Sequence, residues 1–310
     1  MKGLKSFLAA TAAVLGLGMG GAGAADDVRI VVVTHGSNTD AFWNVVKNGV
    51  AAAEKDMGVK VEYRNPPTGD LTEMARLIDA AVASHPDGLI VSIPDPDALG
   101  ESIMGAVAAG IPTVSINSGS EVREKLGALF HVGQPEYDAG LGGGKRAKSA
   151  GVENGLCINH EISNAALEQR CQGYADGLGI ELTMLDVGMD PTEVRNKVSA
   201  ALQSGKYDGV MTLGPAGADP TIAALKETGL AGQVHFGTFD LGDEIIKAIK
   251  DGTIDFAIDQ QQYLQGYLPV AALALNARYG LLPGGDVLSG PGFVTKNNIG
   301  MVEKLAGTVR

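Results

Sequence analysis

Short apolar runs alternate with amphipathic stretches along almost the whole chain. The runs at 28–33 (VRIVVV), 59–63, 88–93 and 112–116 have the length and the Val/Ile content of strands. Between them, apolar positions recur at helical spacing over 40–57, 70–84 and 97–109. A second series follows, with strand-like runs at 155–159, 181–185, 209–213, 234–239 and 255–259. Helical stretches at 136–150, 165–178, 191–204, 219–228 and 242–250 accompany it. Uniformly apolar strands separated by helices predict parallel sheets covered on both faces, an α/β fold. A weak break over 121–130 favours two Rossmann-like lobes over one large sheet. Asp40, Asp97, Pro191 and Asp219-Pro220 read as helix starts, and Gly58, Gly110 and Gly229 as helix ends.

The first 24 residues stand outside this pattern. Lys2 and Lys5 precede an apolar stretch from Phe7 to about Leu17, and small residues end in Ala22-Gly23-Ala24. That order is the pattern of a cleaved secretory signal over 1–24, and the stretch is shorter than the ~20 residues of a membrane span. No cysteine follows the cleavage point, so no lipid anchor is expected, and the reading is a protein of the periplasm. The formal net charge is -12, and about -14 once the two lysines of the leader are removed. Such a balance opposes binding to nucleic acid or to an anionic membrane surface and points to a small ligand, neutral or cationic. Neither a metal site nor a cofactor is expected.

The chain has two cysteines, Cys157 in a strand-like run and Cys171 in the helical stretch that follows. In an oxidising compartment this pair predicts a disulfide, the alternative being two buried thiols. No histidine has ligand spacing to either, which disfavours a metal.

In open parallel sheets, ligands bind beyond the carboxyl ends of the strands. The segments there are 34–43, 94–97, 117–120, 159–164, 213–219, 239–243 and 259–263. They carry Asp40, Asp95, Asn117, Asn164, Asp240 and Gln260, with Phe42 and Trp43 beside them. Carboxylates and amides pair with neighbouring hydroxyls, and an aromatic face suits the CH face of a sugar ring. Each residue alone also has a structural reading: Asp40 as a cap, Asn117 as a turn, Trp43 as core. Their joint occurrence at strand ends predicts a carbohydrate pocket.

Four stretches carry a resemblance: VVVTHGSNTDAFWNVVKNGVAAAEKDMGVKVEY, DGLIVSIPDPDALGESIMGAVAAGIPTVSINS, HVGQPEYDAGLGGGKRA and FGTFDLGDEIIKAIKDGTIDFAIDQQQYLQGYLPV. In order they resemble the periplasmic sugar-binding receptors of ABC transporters, the ribose-binding-protein type, over essentially the whole mature chain. The resemblance implies the type I periplasmic binding fold, with two lobes joined by a hinge that close on a monosaccharide or polyol. It implies a monomer whose partner is the membrane permease of an ABC importer. Lobe one is expected over 26–128 and 262–288, and lobe two over 132–258 and 289–310. The hinge is expected near 129–131, 259–261 and 289–291. Thr34, Asp40, Phe42 and Trp43 match the family's first-strand end and the helix after it. Asn117, Asp240 and Gln260 match its fourth strand end, a second-lobe aspartate and a crossover glutamine. The chain departs from the ribose receptors at Asn117-Ser118, where they have Asp-Arg, and at Gly214-Pro215, where they have Asn-Asp. Their sugar-binding arginine aligns here with Glu168, and the loop over 35–39 is about two residues longer. These departures leave other pentoses, hexoses and sugar alcohols, including inositols, open.

The rival readings are an α/β enzyme acting on a sugar and a transcription regulator; a sugar-sensing partner of a chemoreceptor is compatible with transport. No strand leads into G-x-G-x-x-G, and no G-x-S-x-G elbow or H-E-x-x-H pair occurs. The run GLGGGKRA over 140–147 lies within a helical pattern, so its glycines are read as allowing close helix packing. The pair His160-Glu161 is read as a polar loop at the cleft. A regulator needs an N-terminal helix-turn-helix, and a secretory leader stands there instead.

Overall fold

The computed structural model describes residues 28–310, and the leader expected at 1–24 lies outside the described residues. Two sheets organise the chain. The first contains β1 (Arg29–Val33), β2 (Lys60–Arg64), β3 (Gly88–Ser92), β4 (Thr113–Ile116), β5 (His131–Gly133) and β11 (Val287–Leu288). Their order is β11-β5-β4-β3-β1-β2, all parallel. The second contains β6 (Gly155–Asn159), β7 (Met184–Asp186), β8 (Gly209–Thr212), β9 (His235–Phe239), β10 (Phe256–Asp259) and β12 (Gly292–Val294). Here the order is β12-β10-β9-β8-β6-β7, with only β12 antiparallel to its neighbour.

Helices cover both faces of each sheet, as uniformly apolar strands require. Around the first sheet lie α1 (Ala41–Met57), α2 (Leu71–Ala83), α3 (Pro96–Ala108) and α9 (Gln262–Tyr279). Ile30 and Val32 of β1 pack toward α1 and α9, whereas Val31 and Val33 pack toward α2 and α3. Around the second sheet lie α4 (Glu136–Ser149), α5 (Ala165–Leu178), α6 (Pro191–Gln203), α7 (Pro215–Thr228) and α8 (Asp243–Asp251).

The glycine run of α4 serves the close packing read from the sequence. A Cβ added at Gly140 would lie 2.1 Å from the Arg170 carbonyl oxygen, and one at Gly173 of α5 would lie 2.1 Å from that of Tyr137. The two backbones touch, which fixes α5 tightly against α4.

Two helix starts differ from the sequence reading, and the one at Pro191 agrees with it. Asp95, not Asp97, caps α3, its Oδ1 accepting from the Asp97 and Ala98 amides at 2.9 and 3.2 Å. Asp190 caps α6, with Pro191 at its first position. Helix α7 begins at Pro215, so Asp219 and Pro220 fall in its second turn. Proline is well suited to the first helical position, where its missing N–H leaves no bond unmade.

The chain passes between the sheets three times: after β5, after β10 and after β11. The first passage lies beyond Gly133, because His131 and Val132 continue the first sheet by pairing with Ser115 and Ile116. At the second passage Gln261 takes a left-handed conformation (φ 54°). Its amide donates to Asp259 Oδ1 at 2.9 Å and its side-chain amide to the Ser289 carbonyl at 2.6 Å. Arg310 joins the same place, 2.9 Å from Asp259 Oδ2 and donating to Gln261 Oε1 at 2.8 Å.

Cys157 on β6 and Cys171 on α5 form a disulfide with a Cα separation of 5.6 Å. The bond closes a short loop that carries the carboxyl end of β6 and the start of α5. Replacing both cysteines with serine is expected to cost about 2–3 kcal/mol of stability. Chemical denaturation of the double variant measures this, and a midpoint equal to that of the parent protein would refute it.

Candidate functional site

The carboxyl ends of β1 and β4 in one lobe face those of β6, β8, β9 and β10 in the other. Between them lies a narrow cavity of ≈ 40 Å³, smaller than the ~300–1,000 Å³ usual for small-molecule sites. From the first lobe come His35 and Asp40 after β1, Phe42 and Trp43 on the first turn of α1, and Asn117 after β4. From the second come His160, Glu161 and Asn164 after β6, Arg170 on α5, the 213–216 backbone after β8, and Asp240 after β9. Gln260 enters from the second passage between the sheets.

Local structure explains why these side chains reach the cavity. Asn117 and Asp240 are left-handed (φ 63° and 66°), a conformation that Asn and Asp tolerate better than other side chains. Each bends the chain immediately after its strand. Asp40 and Asn164 cap α1 and α5, accepting from Phe42 N at 2.9 Å and Ala166 N at 3.1 Å. Capping uses one oxygen of each and leaves the remainder of the group at the cavity wall. Phe42 and Trp43 meet edge to face at 5.0 Å and form the apolar wall. The Trp43 ring is fixed from behind by Gly36, where an added Cβ would lie 1.8 Å from the ring.

A hydrogen-bonded chain links the lobes beneath the cavity. Asn117 Nδ2 donates to Gln260 Oε1 at 3.4 Å, and Gln260 Nε2 donates to Asp240 Oδ1 at 2.9 Å. Gln262 Nε2 donates to the same Asp240 oxygen at 3.1 Å, and Gln265 Nε2 to Gln260 Oε1 at 2.9 Å. A second contact lies at the side. His35 is held by Ser92 Oγ, 2.8 Å from its Nδ1, and its Nε2 lies 3.4 Å from Asn164 Nδ2 and 3.7 Å from Glu161 Oε2.

Arg170 is the buried cation of the site. Its Nε and one terminal nitrogen donate to the two Glu136 oxygens at 2.6 and 2.9 Å. The other terminal nitrogen donates to the Leu213 carbonyl at 2.8 Å, and the guanidinium lies 4.4 Å over the Phe239 ring. Burial works against its charge, but the Glu136 carboxylate holds its pKa above the ordinary value.

Burial dominates the other titratable groups. It pushes Asp240 up to about 7 against the pull of Arg170 and the Gln260 hydrogen bond. It pushes Asp40 up to about 6 against the Phe42 amide. It lowers His160 to about 4 and lowers His35 against the opposing effect of Glu161. At neutral pH both imidazoles are therefore uncharged, each offering one donor and one acceptor. The one buried cation is already neutralised by Glu136, so the cavity has donors and acceptors in quantity and no spare positive charge for an anion.

The structure brings together Asp40, Phe42, Trp43, Asn117, Asn164, Asp240 and Gln260 of the residues expected from sequence. Two expected residues lie outside the cavity. The Thr34 hydroxyl is 2.6 Å from that of Tyr63, and the Asp95 carboxylate is occupied in capping α3. Glu168, which the resemblance aligns with the family's arginine, lies on the exposed face of α5, whereas Arg170 is buried and lines the cavity. The signal was present: Arg170 falls between Leu167, Cys171 and Tyr174 on the inward face of the helix. His35 also lines the cavity, as do His160 and Glu161 of the polar loop expected at the cleft. Among the described residues no cluster of His, Cys, Asp and Glu is arranged to hold a metal ion, and no helix is long and apolar enough to cross a membrane.

Residues 30–280 match the family model described as periplasmic binding protein domain. A carbohydrate transporter protein from Acidothermus cellulolyticus, solved in complex with myo-inositol, is 38% identical with a TM-score of 0.86; the match covers 91% of this chain and 98% of that one. A xylose/arabinose-binding protein of Sulfolobus acidocaldarius is 26% identical over 87% of this chain and 72% of its own length. A D-ribose/D-allose-binding protein of Pseudomonas aeruginosa is 26% identical over 75% of this chain and 76% of its own.

Proposed function

The chain belongs to the periplasmic binding protein domain family, and we propose that it captures a neutral cyclic polyol of the myo-inositol kind for an ABC importer. The observation that carries this reading is the cavity between the two sets of strand ends. It is walled by Phe42 and Trp43, rich in amides, imidazoles and carboxylates, and without an unneutralised cation. A ring bearing a hydroxyl on every carbon both donates and accepts around its whole edge, and the site offers both kinds of partner around the cavity. The relative solved with myo-inositol supports a cyclitol over a pentose.

The polyol is proposed to contact Asp40, Asn117, Asn164, Asp240, Gln260 and Arg170, with its CH face on the aromatic wall. The three passages between the sheets act as the hinge, and the lobes close over the ring. The protein works as a monomer in the periplasm after removal of the 1–24 leader, and its partner is the membrane permease. It is a receptor and not an enzyme.

Thermal-shift and calorimetric titration with myo-inositol, D-arabinose, D-ribose and D-glucose tests the reading. A ligand that binds only the folded state raises the melting temperature by mass action, about 2.7 kcal/mol of added stability at 100 times Kd. The expected order places myo-inositol first. Preference for a pentose would reject the cyclitol, and no shift with any of the four would reject the polyol reading.

A further inference from the structure

We propose that the open flank of the cleft is a subsite for a second ring, so that the protein accepts a glycoside of its polyol as well as the free polyol. The proposal rests on the polyol reading of the inner cavity.

The two flanks of the cleft differ. On one, the second lobe meets the first directly. The Ala165 amide donates to the Pro94 carbonyl at 3.1 Å, Asn164 lies 3.4 Å from His35, and Gln169 hydrogen-bonds Glu121. On the other, polar groups turn back to their own lobe. Ser37 Oγ lies 3.3 Å from Thr39 Oγ1, the Asn38 amide donates to the Pro67 carbonyl at 3.2 Å, and Arg195 pairs with Glu227 at 3.3 Å. Among the described residues no hydrogen bond or ion pair joins 37–41 to 189–195 or 215–223. The lobes are thus in contact on one side while the other side stays open.

That open side is a space of ≈ 520 Å³ that adjoins the inner cavity. The two share Asp40, Pro215 and Ala216 as lining, so a group leaving the inner ring past these residues enters the outer space. Met189, Pro191, Pro220 and Ala223 give it an apolar wall, and Thr39 and Thr192 give hydroxyls at the rim. Ser37, Arg195 and Asp219 line it as well, and an apolar wall beside polar groups suits the CH face and edge of a sugar ring. A free cyclitol uses none of this surface. A glycosidic oxygen at the ring position facing Asp40 would direct a second ring onto it without parting the contacts on the sealed flank.

The test is calorimetry with myo-inositol and with 1-O-α-D-galactosyl-myo-inositol on the parent protein and on two variants, Ala223→Trp and Thr192→Trp. Both substitutions fill the outer space and leave the inner lining unchanged. Thr192 is exposed, so its replacement does not disturb the core. The galactoside is expected to bind the parent and to be displaced by myo-inositol. Each variant is expected to keep its myo-inositol affinity within about threefold and to lose about tenfold or more for the galactoside, which corresponds to about 1.4 kcal/mol. A parent protein that binds myo-inositol but not the galactoside would overturn the subsite and leave the polyol reading standing. Variants that bind the galactoside like the parent, or that weaken both ligands alike, would overturn it as well. If neither ligand binds the parent, the polyol reading fails and the subsite fails with it.

Discussion

Replacing Asp240 with asparagine or alanine is expected to weaken polyol capture by roughly 30- to 1000-fold, the equivalent of about 2–4 kcal/mol. Asp240 is 2% exposed, and one of its oxygens already accepts from Gln260 and Gln262. The other oxygen is left for the ligand, and a carboxylate accepts from a hydroxyl more strongly than a neutral amide does. Asparagine is the cleaner variant because it also tolerates the left-handed backbone at 240 and retains an oxygen for the two glutamines. Calorimetry reads the affinity, and thermal denaturation confirms that the ligand-free fold persists. Normal binding by Asp240→Asn would remove Asp240 from the site.

The same residue sets a pH dependence. Burial raises its pKa from 3.8 to about 7. A polyol hydroxyl that donates to the carboxylate favours the ionised form, so binding releases a proton, and affinity should increase from pH 5 to pH 8. Asp40, raised to about 6, adds to the lower part of that rise. The stability of the free protein changes the other way. A carboxyl whose folded pKa is raised stabilises the fold fully below its unfolded pKa and loses that contribution as pH rises through the folded value. For Asp240 the loss runs between about pH 4 and pH 7. In Asp240→Asn the part of both slopes near pH 7 should disappear.

The elements that pack on both faces were legible in sequence because their apolar pattern is long and continuous. The run VRIVVV is β1 to within a residue, and the stretch 165–178 is α5. Three of the short strands were not. Strands β5, β11 and β12 have two or three residues each, too few for a periodic signal, and they exist only because a sheet edge is there to pair with. Site residues at strand ends were legible where a strand, a cap and an aromatic pair follow one another, as at Asp40, Phe42 and Trp43. Residues whose role depends on a distant partner were not. His35 is placed by Ser92, and Arg170 by Glu136, 34 positions away in sequence. Thr34 and Asp95 sit at strand ends too, but each has a local partner, Tyr63 or the α3 amides, that satisfies it.

Replacing Arg170 with methionine is expected to lower both stability and affinity, and a second substitution should separate the two losses. Arg170 and Glu136 are 3% and 2% exposed. Removing the guanidinium leaves the Glu136 carboxylate buried with only the Gln134 amide, 2.9 Å away, as partner. An uncompensated buried charge of this kind costs about 3–5 kcal/mol. In Arg170→Met combined with Glu136→Gln the stranded charge is gone, and replacing a buried ion pair by groups of similar volume is often neutral. The double variant is therefore expected to recover most of the lost stability in chemical denaturation. It should not recover binding, because the cavity then lacks its buried cation and the donors proposed to contact the polyol. The Leu213 carbonyl also loses its 2.8 Å partner, which loosens the 213–216 wall. If the double variant regains affinity together with stability, Arg170 serves only to hold α5 against α4. If affinity stays lost while stability returns, Arg170 serves the site, either at the ligand or by holding the 213–216 wall.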